Sequence, residues 1–132
     1  ELNLGYRESV FQNTSNRIIL KAWFSLKEDM FSSIRHRMYE SKSRRWRSQP
    51  RDWPSCGSVF KRPPNYFVGP LIDEIGLRGF SIGDAKVSDK HSGFIVNTGN
   101  ATGLDIIMLI NIIKEKVQKV YGIELNLEQR II

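Results

Sequence analysis

Alternating apolar and polar positions near the start of the chain predict a β-strand. In RIILKAWFSL, residues 17–26, every second side chain is apolar, and that period of two places them on one face of a strand. Ser25 and Glu28 then have the S-x-x-E spacing of a helix capping box. We therefore predict a strand, then a helix that starts near Leu26 and ends before Pro50.

Helical spacing and turn residues predict two more helices. The shorter carries Pro70 in its first turn and stops at Gly76, and a short buried strand, residues 94–97, follows in a glycine-rich stretch. The longer begins at Thr102, is capped by Asp105 and ends at Gly122. Its apolar stripe consists of Ile106, Leu109, Ile110, Ile113, Val117 and Val120.

The closing residues 125–131 alternate again and predict a last strand. The order is therefore strand, helix, loops, helix and strand, which indicates an α+β fold with a small mixed sheet and packed helices. A length of 132 residues with 40% hydrophobic residues suits one compact unit. The chain opens with Glu1 rather than Met, so we expect a fragment of a longer protein.

Composition argues against a membrane span, a disulfide and a zinc site. No apolar run approaches the about 20 residues that a membrane span needs, and no signal peptide is visible. The single cysteine, Cys56, excludes an internal disulfide and favours a reducing cytoplasm. Cys56 and two scattered histidines make no zinc set, so we predict no metal site.

The positive charge is unevenly placed. The net charge is +6, and one segment carries seven of the cations against the single Glu40. Those cations are Arg35, Arg37, Lys42, Arg44, Arg45, Arg47 and Arg51. Such a run indicates an anionic partner, although a solvated helix face is the commoner explanation.

A serine stands in an unusual loop, PSCGSVFKRPP, residues 54–64. Ser58 follows a glycine and precedes an apolar pair, but Phe60 occupies the place of the second glycine of a G-x-S-x-G elbow. Neither His36 nor His91 is tied to Ser58 by spacing, so a hydrolase triad is disfavoured. Two roles stay open: the hydroxyl donates a proton in catalysis, or it bonds the loop backbone.

Four strings together resemble a known family. GYRESVF, CGSVFKRP, IGDAKVSDKHSGFIVNTGNAT and LNLEQRII occur in this order. They resemble the C-terminal half of UDP-N-acetylenolpyruvoylglucosamine reductase, the MurB family of peptidoglycan synthesis, over nearly the whole chain. The short spacing between Arg7 and Ser58, without an inserted tyrosine-bearing loop, resembles the second type of this family.

The resemblance implies a reduction. The family converts the enolpyruvyl ether of UDP-N-acetylglucosamine to UDP-N-acetylmuramate, using NADPH to reduce a bound FAD that passes hydride to the vinyl carbon. The family's serine in G-S-V-F-K donates the proton, which implies that role for Ser58. Arg7, a permanent cation, and Glu128, a carboxyl that could donate a hydrogen bond if kept neutral, flank the developing enolate. We assign Tyr6, beside Arg7, to substrate binding, and by charge we assign Lys61, Arg62, Arg45 and Arg47 to the substrate diphosphate.

Three positions depart from the family pattern. Asp84 replaces the second glycine of I-G-G-A, where it could disturb a close backbone contact. Pro70 replaces a lysine, and Gln129 replaces the valine of Glu-Val-Arg. None of the three removes a proposed catalytic residue.

The resemblance also implies a missing part. Residues 27–122 resemble the substrate-binding domain, whereas residues 1–26 and 123–132 look like pieces that complete an absent N-terminal FAD-binding domain. We expect this chain alone to hold little FAD and not to turn over. Exposed edges of the two strand pieces make a homodimer conceivable.

Two other functions remain open. A non-catalytic UDP-sugar-binding remnant shares every motif and differs only in whether the flavin-binding part exists. A basic nucleic-acid-binding module rests on the charge and on Trp46 and Trp53 as stacking groups, and it leaves Ser58 and Glu128 unexplained. We therefore expect no specific nucleic-acid partner.

Overall fold

The computed structural model describes residues 2–12 and 16–132. Its elements in chain order are three helices and three short strands. They are α1 (Phe31–Ser48), α2 (Val68–Glu74), β1 (Ser81–Ile82), β2 (Ala85–Val87), β3 (Ile95–Asn97) and α3 (Gly103–Tyr121). The chain divides into two units, Glu1–Met38 and Tyr39–Ile132. The predicted α+β class is confirmed.

The sheet lies in the second unit and has the order β1-β2-β3, with both pairings antiparallel rather than mixed. β1 and β2 form a tight hairpin, pairing Ile82 with Ala85 around a two-residue turn. Gly83 adopts a φ of 52° in that turn, which glycine reaches without steric cost. β3 was predicted within one residue, but the hairpin was missed, because its strands are too short to show a period of two.

Helix α3 begins and ends where its sequence predicts. The Thr102 side chain accepts a hydrogen bond from the Asp105 amide, and the Asp105 side chain accepts one from the Thr102 amide, so the capping box is complete. Hydrogen bonding of the Asp105 carboxylate to the backbone amide and to the side chain of Thr102 lowers its pKa. At the other end Gly122 adopts the left-handed conformation, with a φ of 68°.

The core of the second unit forms where α3 packs on β1, β2 and α2. Its fully covered side chains come from α2, β2, β3 and α3 and from three segments outside these elements. They are Val59, Phe60, Leu71, Ile72, Leu77, Ala85, Val87, Ile95, Leu109, Ile110, Ile113, Val117 and Leu125. Val120, which was predicted to belong to the stripe, is 60% exposed, so the stripe ends one turn earlier.

In the first unit the strand prediction is wrong. Residues 17–26 form no strand, and side chains from both predicted faces are exposed, among them Leu20 at 87% and Trp23 at 85%. A strand needs a partner for its backbone groups, and these described residues pair with none. The predicted Ser25–Glu28 capping box is also wrong, because α1 begins only at Phe31.

The last segment is paired rather than forming a regular strand. Leu125 is buried, and Leu127 forms one antiparallel bridge with Phe60, but the predicted alternation up to residue 131 does not continue as a strand. Within the part of the chain that the structure describes, no helix combines the length and the apolar character that crossing a membrane requires.

Replacing Thr102 by alanine should destabilise the second unit by about 1 kcal/mol, because the amide of Asp105 loses its acceptor at the start of α3. Thermal unfolding should show a melting temperature lower by about 3–5 °C. Ser25→Ala is the matched control, since Ser25 lies outside any helix and should leave the melting temperature unchanged. Equal losses from both substitutions would contradict the assignment of the cap.

Candidate functional site

The Ser58 loop is held by backbone hydrogen bonds on both sides. On one side the Val59 amide donates to the Gly93 carbonyl at 3.0 Å, and Ser58 forms an antiparallel bridge with Phe94. On the other side the Glu128 amide donates to the Val59 carbonyl at 2.9 Å. The loop therefore lies as a short central segment between Gly93 and Phe94, the residues that precede β3, and residues 126–128.

The Ser58 loop is anchored in the core by the two residues that follow the serine. Val59 is 1% exposed and Phe60 is 3% exposed, and both belong to the core cluster. Ser58 itself is exposed, and its hydroxyl makes no hydrogen bond to any of the described residues. The Ser58 hydroxyl is therefore exposed on a segment anchored in the core, and both roles considered for it stay predictions.

Glu128 lies on the segment that pairs with the Ser58 loop. The bridge between Phe60 and Leu127 and the bond from the Lys61 amide to the Asn126 carbonyl, at 2.8 Å, extend the same antiparallel pairing. Glu128 is half-buried. Ser58 and Glu128, which are separated by about half of the chain, thus lie on adjacent segments.

The sequence alone did not indicate Gln129 as part of this arrangement. Its side-chain Nε2 donates to the carbonyl oxygen of Gly57 at 3.3 Å. The contact joins positions 72 residues apart, and neither residue type marks it, so no sequence signal could have found it.

Tyr6 and Arg7 occupy the tip of a tight turn in the first unit. The Gly5 amide donates to the Glu8 carbonyl at 3.0 Å, and the Glu8 amide donates to the Gly5 carbonyl at 3.3 Å. Arg7 has a φ of 57°, which is uncommon for a residue with a side chain, and such outliers cluster at functional sites. Its guanidinium carbon lies 5.6 Å from the centroid of the Tyr6 ring.

Arg62 is organised by its own loop. Its Nε donates to the Tyr66 carbonyl at 3.2 Å, and its guanidinium carbon lies 3.8 Å from the centroid of the Phe67 ring. Lys61 is half-buried beside it. The guanidinium is therefore held in one place, on the residue four positions after Ser58.

Arg45 and Arg47 lie in the last turn of α1 and are exposed. Between them Trp46 carries the guanidinium of Arg51 on its ring, at 3.7 Å from the centroid. The Lys90 ammonium donates to the Trp46 carbonyl at 2.8 Å, which suits a helix C-terminus. The basic segment therefore continues past α1 into the loop that leads to Ser58.

His91 was seen in the sequence but given no role. Its Nδ1 accepts a hydrogen bond from the Gly93 amide at 3.1 Å, so the neutral ring carries its proton on Nε2. The ring also meets Phe94 edge to face, with centroids 5.0 Å apart. His91 thus shapes the turn whose Gly93 carbonyl receives the Val59 amide.

Asp84 does not disturb the backbone contact that its position suggested. Its carboxylate accepts a hydrogen bond from the Asn100 amide at 2.6 Å, and its carbonyl accepts one from the Thr98 amide at 2.9 Å. The close approach falls on Gly99, where an added Cβ would lie 2.6 Å from the Asp84 carboxylate. Pro70 lies exposed in the first turn of α2, as predicted.

Comparison with known proteins identifies the class to which this fold and site belong. Residues 49–132 match the family described as UDP-N-acetylenolpyruvoylglucosamine reductase, C-terminal domain. The chain belongs to this family, and the resemblance inferred from its motifs is confirmed.

Particular relatives carry the same name. The chain is 48% identical to a UDP-N-acetylenolpyruvoylglucosamine reductase of Caldanaerobacter subterraneus subsp. tengcongensis, over 100% of this chain and 43% of that protein. A reductase of that name from Fervidobacterium nodosum is 46% identical over 99% of this chain and 43% of its own length. The chain therefore spans less than half the length of these relatives.

A solved structure has the same fold. The UDP-N-acetylenolpyruvylglucosamine reductase (MurB) of Thermus caldophilus superposes with a TM-score of 0.66 at 40% identity. The superposition covers 80% of this chain and 37% of that chain.

Gly57, directly before Ser58, should not tolerate a side chain. Its φ of 85° lies in the left-handed region, and no atom lies within 4 Å of an added Cβ, so the cost is conformational rather than steric crowding. Gly57→Ala should lower the free energy of unfolding by about 1 kcal/mol, measured by denaturant titration. Gly103→Ala, also in open space but inside α3, should not destabilise. A neutral Gly57→Ala would contradict this account.

Proposed function

We propose that this chain is the substrate-binding and proton-donating part of a reductase that uses FAD and NADPH. Its substrate is the enolpyruvyl ether of UDP-N-acetylglucosamine and its product is UDP-N-acetylmuramate. One observation carries the proposal: an exposed Ser58 hydroxyl stands on a buried, doubly paired segment whose neighbour is Glu128.

The reaction adds a hydride and a proton across the enolpyruvyl double bond, and the flavin supplies the hydride. Hydride addition at the terminal vinyl carbon leaves negative charge on the carbon beside the carboxylate. Ser58 gives its Oγ proton to that carbon. A serine is a weak acid in water, so this transfer requires a strongly basic carbanion and a hydroxyl that is already aimed at it.

Arg7 and Glu128 stabilise the charge that develops on the enolate. A guanidinium remains charged throughout the physiological range, so Arg7 contributes a permanent cation. Glu128 enters from the segment that pairs with the Ser58 loop, which keeps its carboxyl close to the site of protonation. Such groups act most strongly when they are held in place before the charge appears.

The cations near the loop bind the substrate diphosphate in this proposal. Arg62 is restrained by the Tyr66 carbonyl and the Phe67 ring, which reduces the entropy lost when an anion binds. Lys61 lies beside it, and Arg45 and Arg47 contribute long-range attraction from the end of α1. Tyr6 supports the Arg7 turn through the contact of its ring with the guanidinium.

The flavin itself is held elsewhere. Cofactor sites bury most of their ligand, yet the described residues 17–26 carry exposed apolar side chains with no enclosing surface of their own. We assign FAD binding to the part of the relatives that lies outside the matched stretch. Residues 1–26 and 123–132 complete that domain, and residues 27–122 form the substrate domain.

Arg7→Ala should weaken binding of the enolpyruvyl ether to this chain by about tenfold or more, because a charge-assisted contact to the substrate is lost. Ser58→Ala should leave the affinity within about twofold, since proton donation contributes to rate rather than to binding. Isothermal titration calorimetry measures both values.

Arg17→Ala is the matched control, because it removes an exposed arginine from the same unit. If Arg7→Ala and Arg17→Ala weakened binding equally, the effect would come from the overall positive charge and not from a specific contact of Arg7 with the substrate. Absence of binding by the unsubstituted chain at millimolar ether would count against an autonomous substrate domain.

Catalysis is tested in an assembled reductase, meaning this chain joined to the part of the Caldanaerobacter relative outside the matched stretch. Ser58→Ala should lower kcat by about 10²- to 10⁴-fold, because the carbanion loses its acid. NADPH-dependent bleaching of the flavin should be unaffected, which separates the two halves of the reaction.

Ser55→Ala controls for disturbance of the same exposed loop and should retain full turnover. Full activity of Ser58→Ala would refute the proton-donor role. Ether binding combined with no turnover in any assembled form would favour the alternative, a non-catalytic UDP-sugar-binding domain.

A further inference from the structure

The amide of Gln129 reaches a carbonyl next to the proposed proton donor. Gln129 is half-buried, and its Nε2 donates to the carbonyl oxygen of Gly57, the residue that directly precedes Ser58. The family pattern implied by the motifs has a valine at this position, and a valine side chain has no donor.

This bond matters because of the peptide group that it holds. The Gly57 carbonyl belongs to the peptide plane before the Ser58 Cα, and the Val59 amide belongs to the plane after it. Gln129 holds the first plane, and the Gly93 carbonyl holds the second, at 3.0 Å from the Val59 nitrogen. Two fixed planes set both backbone dihedrals of Ser58 and therefore the direction of its Cβ.

The first plane has the greater intrinsic freedom, and beyond the antiparallel bridge between Ser58 and Phe94 the Gln129 amide gives it a further restraint. Gly57 has no Cβ and a φ of 85°, so the peptide group that follows it can rotate more freely than one after any other residue. No atom lies within 4 Å of the position that a Gly57 Cβ would take, so packing at that point does not limit the rotation either.

The bond also links the proposed acid to the proposed enolate-binding carboxyl. Glu128, the residue before Gln129, donates its amide to the Val59 carbonyl at 2.9 Å. Consecutive residues of the last segment thus hold the carbonyls on both sides of Ser58. A displacement of Ser58 relative to Glu128 requires both bonds to break.

We propose that Gln129 is a positioning residue for Ser58, which fixes the Gly57–Ser58 peptide through its side-chain amide and thereby aims the hydroxyl. The functional part of this inference rests on the proposed function, since aiming matters only if Ser58 donates a proton. The geometric part does not depend on it.

The first test measures the loop in this chain by NMR, without substrate or flavin. Gln129→Met keeps the side-chain length and removes the donor. It should change the carbonyl chemical shift of Gly57 and speed hydrogen exchange of the Val59 amide by about three- to tenfold, the range for one lost hydrogen bond. Gln118→Met, on the exposed face of α3, is the matched control and should change neither value.

A second variant separates hydrogen bonding from packing. Gln129→Glu places a carboxyl with nearly the same shape, which can donate only when protonated. Compared with the parent chain at each pH, its Val59 exchange should be fast at about pH 6.5 and return toward the parent value at about pH 4, near the ordinary carboxyl pKa.

The outcomes distinguish this inference from the proposed function. Unchanged Gly57 and Val59 signals in Gln129→Met, or equal changes in Gln118→Met, would overturn the positioning role. In the assembled reductase, Gln129→Met should lower kcat several-fold and leave KM unchanged. An inactive parent reductase would refute the proposed function while the NMR comparison still decides the role of Gln129, and a variant with a normal kcat would refute the functional part.

Discussion

The burial of Val59 and Phe60 is the constraint on which the rest of the site depends. An apolar pair in the middle of a polar loop enters the core, and the backbone that follows it must then pair with whatever lies beside it. It pairs with Phe94, just before β3, on one side and with Leu127 on the other. Val59 and Phe60 anchor the segment in the core, while Ser58 before them stays exposed. Glu128 lies near because its segment pairs with the backbone of Val59.

Local chemistry made much of the second unit predictable. The ends of α3 follow from Thr102, Asp105 and Gly122, each of which acts on backbone groups within one turn of itself. The same holds for α2, where Pro70 and Gly76 mark the ends, and for β3 as an apolar run between glycines. Caps and turn residues act on neighbours within a few positions, so the sequence alone is enough to predict the helix and strand ends that they set.

Predictions failed where the deciding partner was distant. Residues 17–26 have the alternation of a strand, but alternation describes only a capacity to be buried, and no described neighbour buries them. The β1–β2 hairpin was missed for another reason, since strands of two and three residues are too short to show a period of two. In the site, motifs indicated which side chains were expected to carry the chemistry, whereas the contact between Gln129 and Gly57 joins positions 72 residues apart and lay beyond any local pattern.

The departures from the family pattern share a physical character. Asp84 stands where the pattern has glycine, and its carboxylate takes the Asn100 amide in the loop before α3. Gln129 stands where the pattern has valine, and its amide takes the Gly57 carbonyl in the loop before Ser58. Each change adds a side-chain bond to the backbone of a loop, and neither replaces Ser58, Arg7 or Glu128. A flexible loop backbone can be restrained by a hydrogen bond from a side chain elsewhere in the fold. This chain therefore varies the residues that restrain the loops, while it keeps the groups proposed to react.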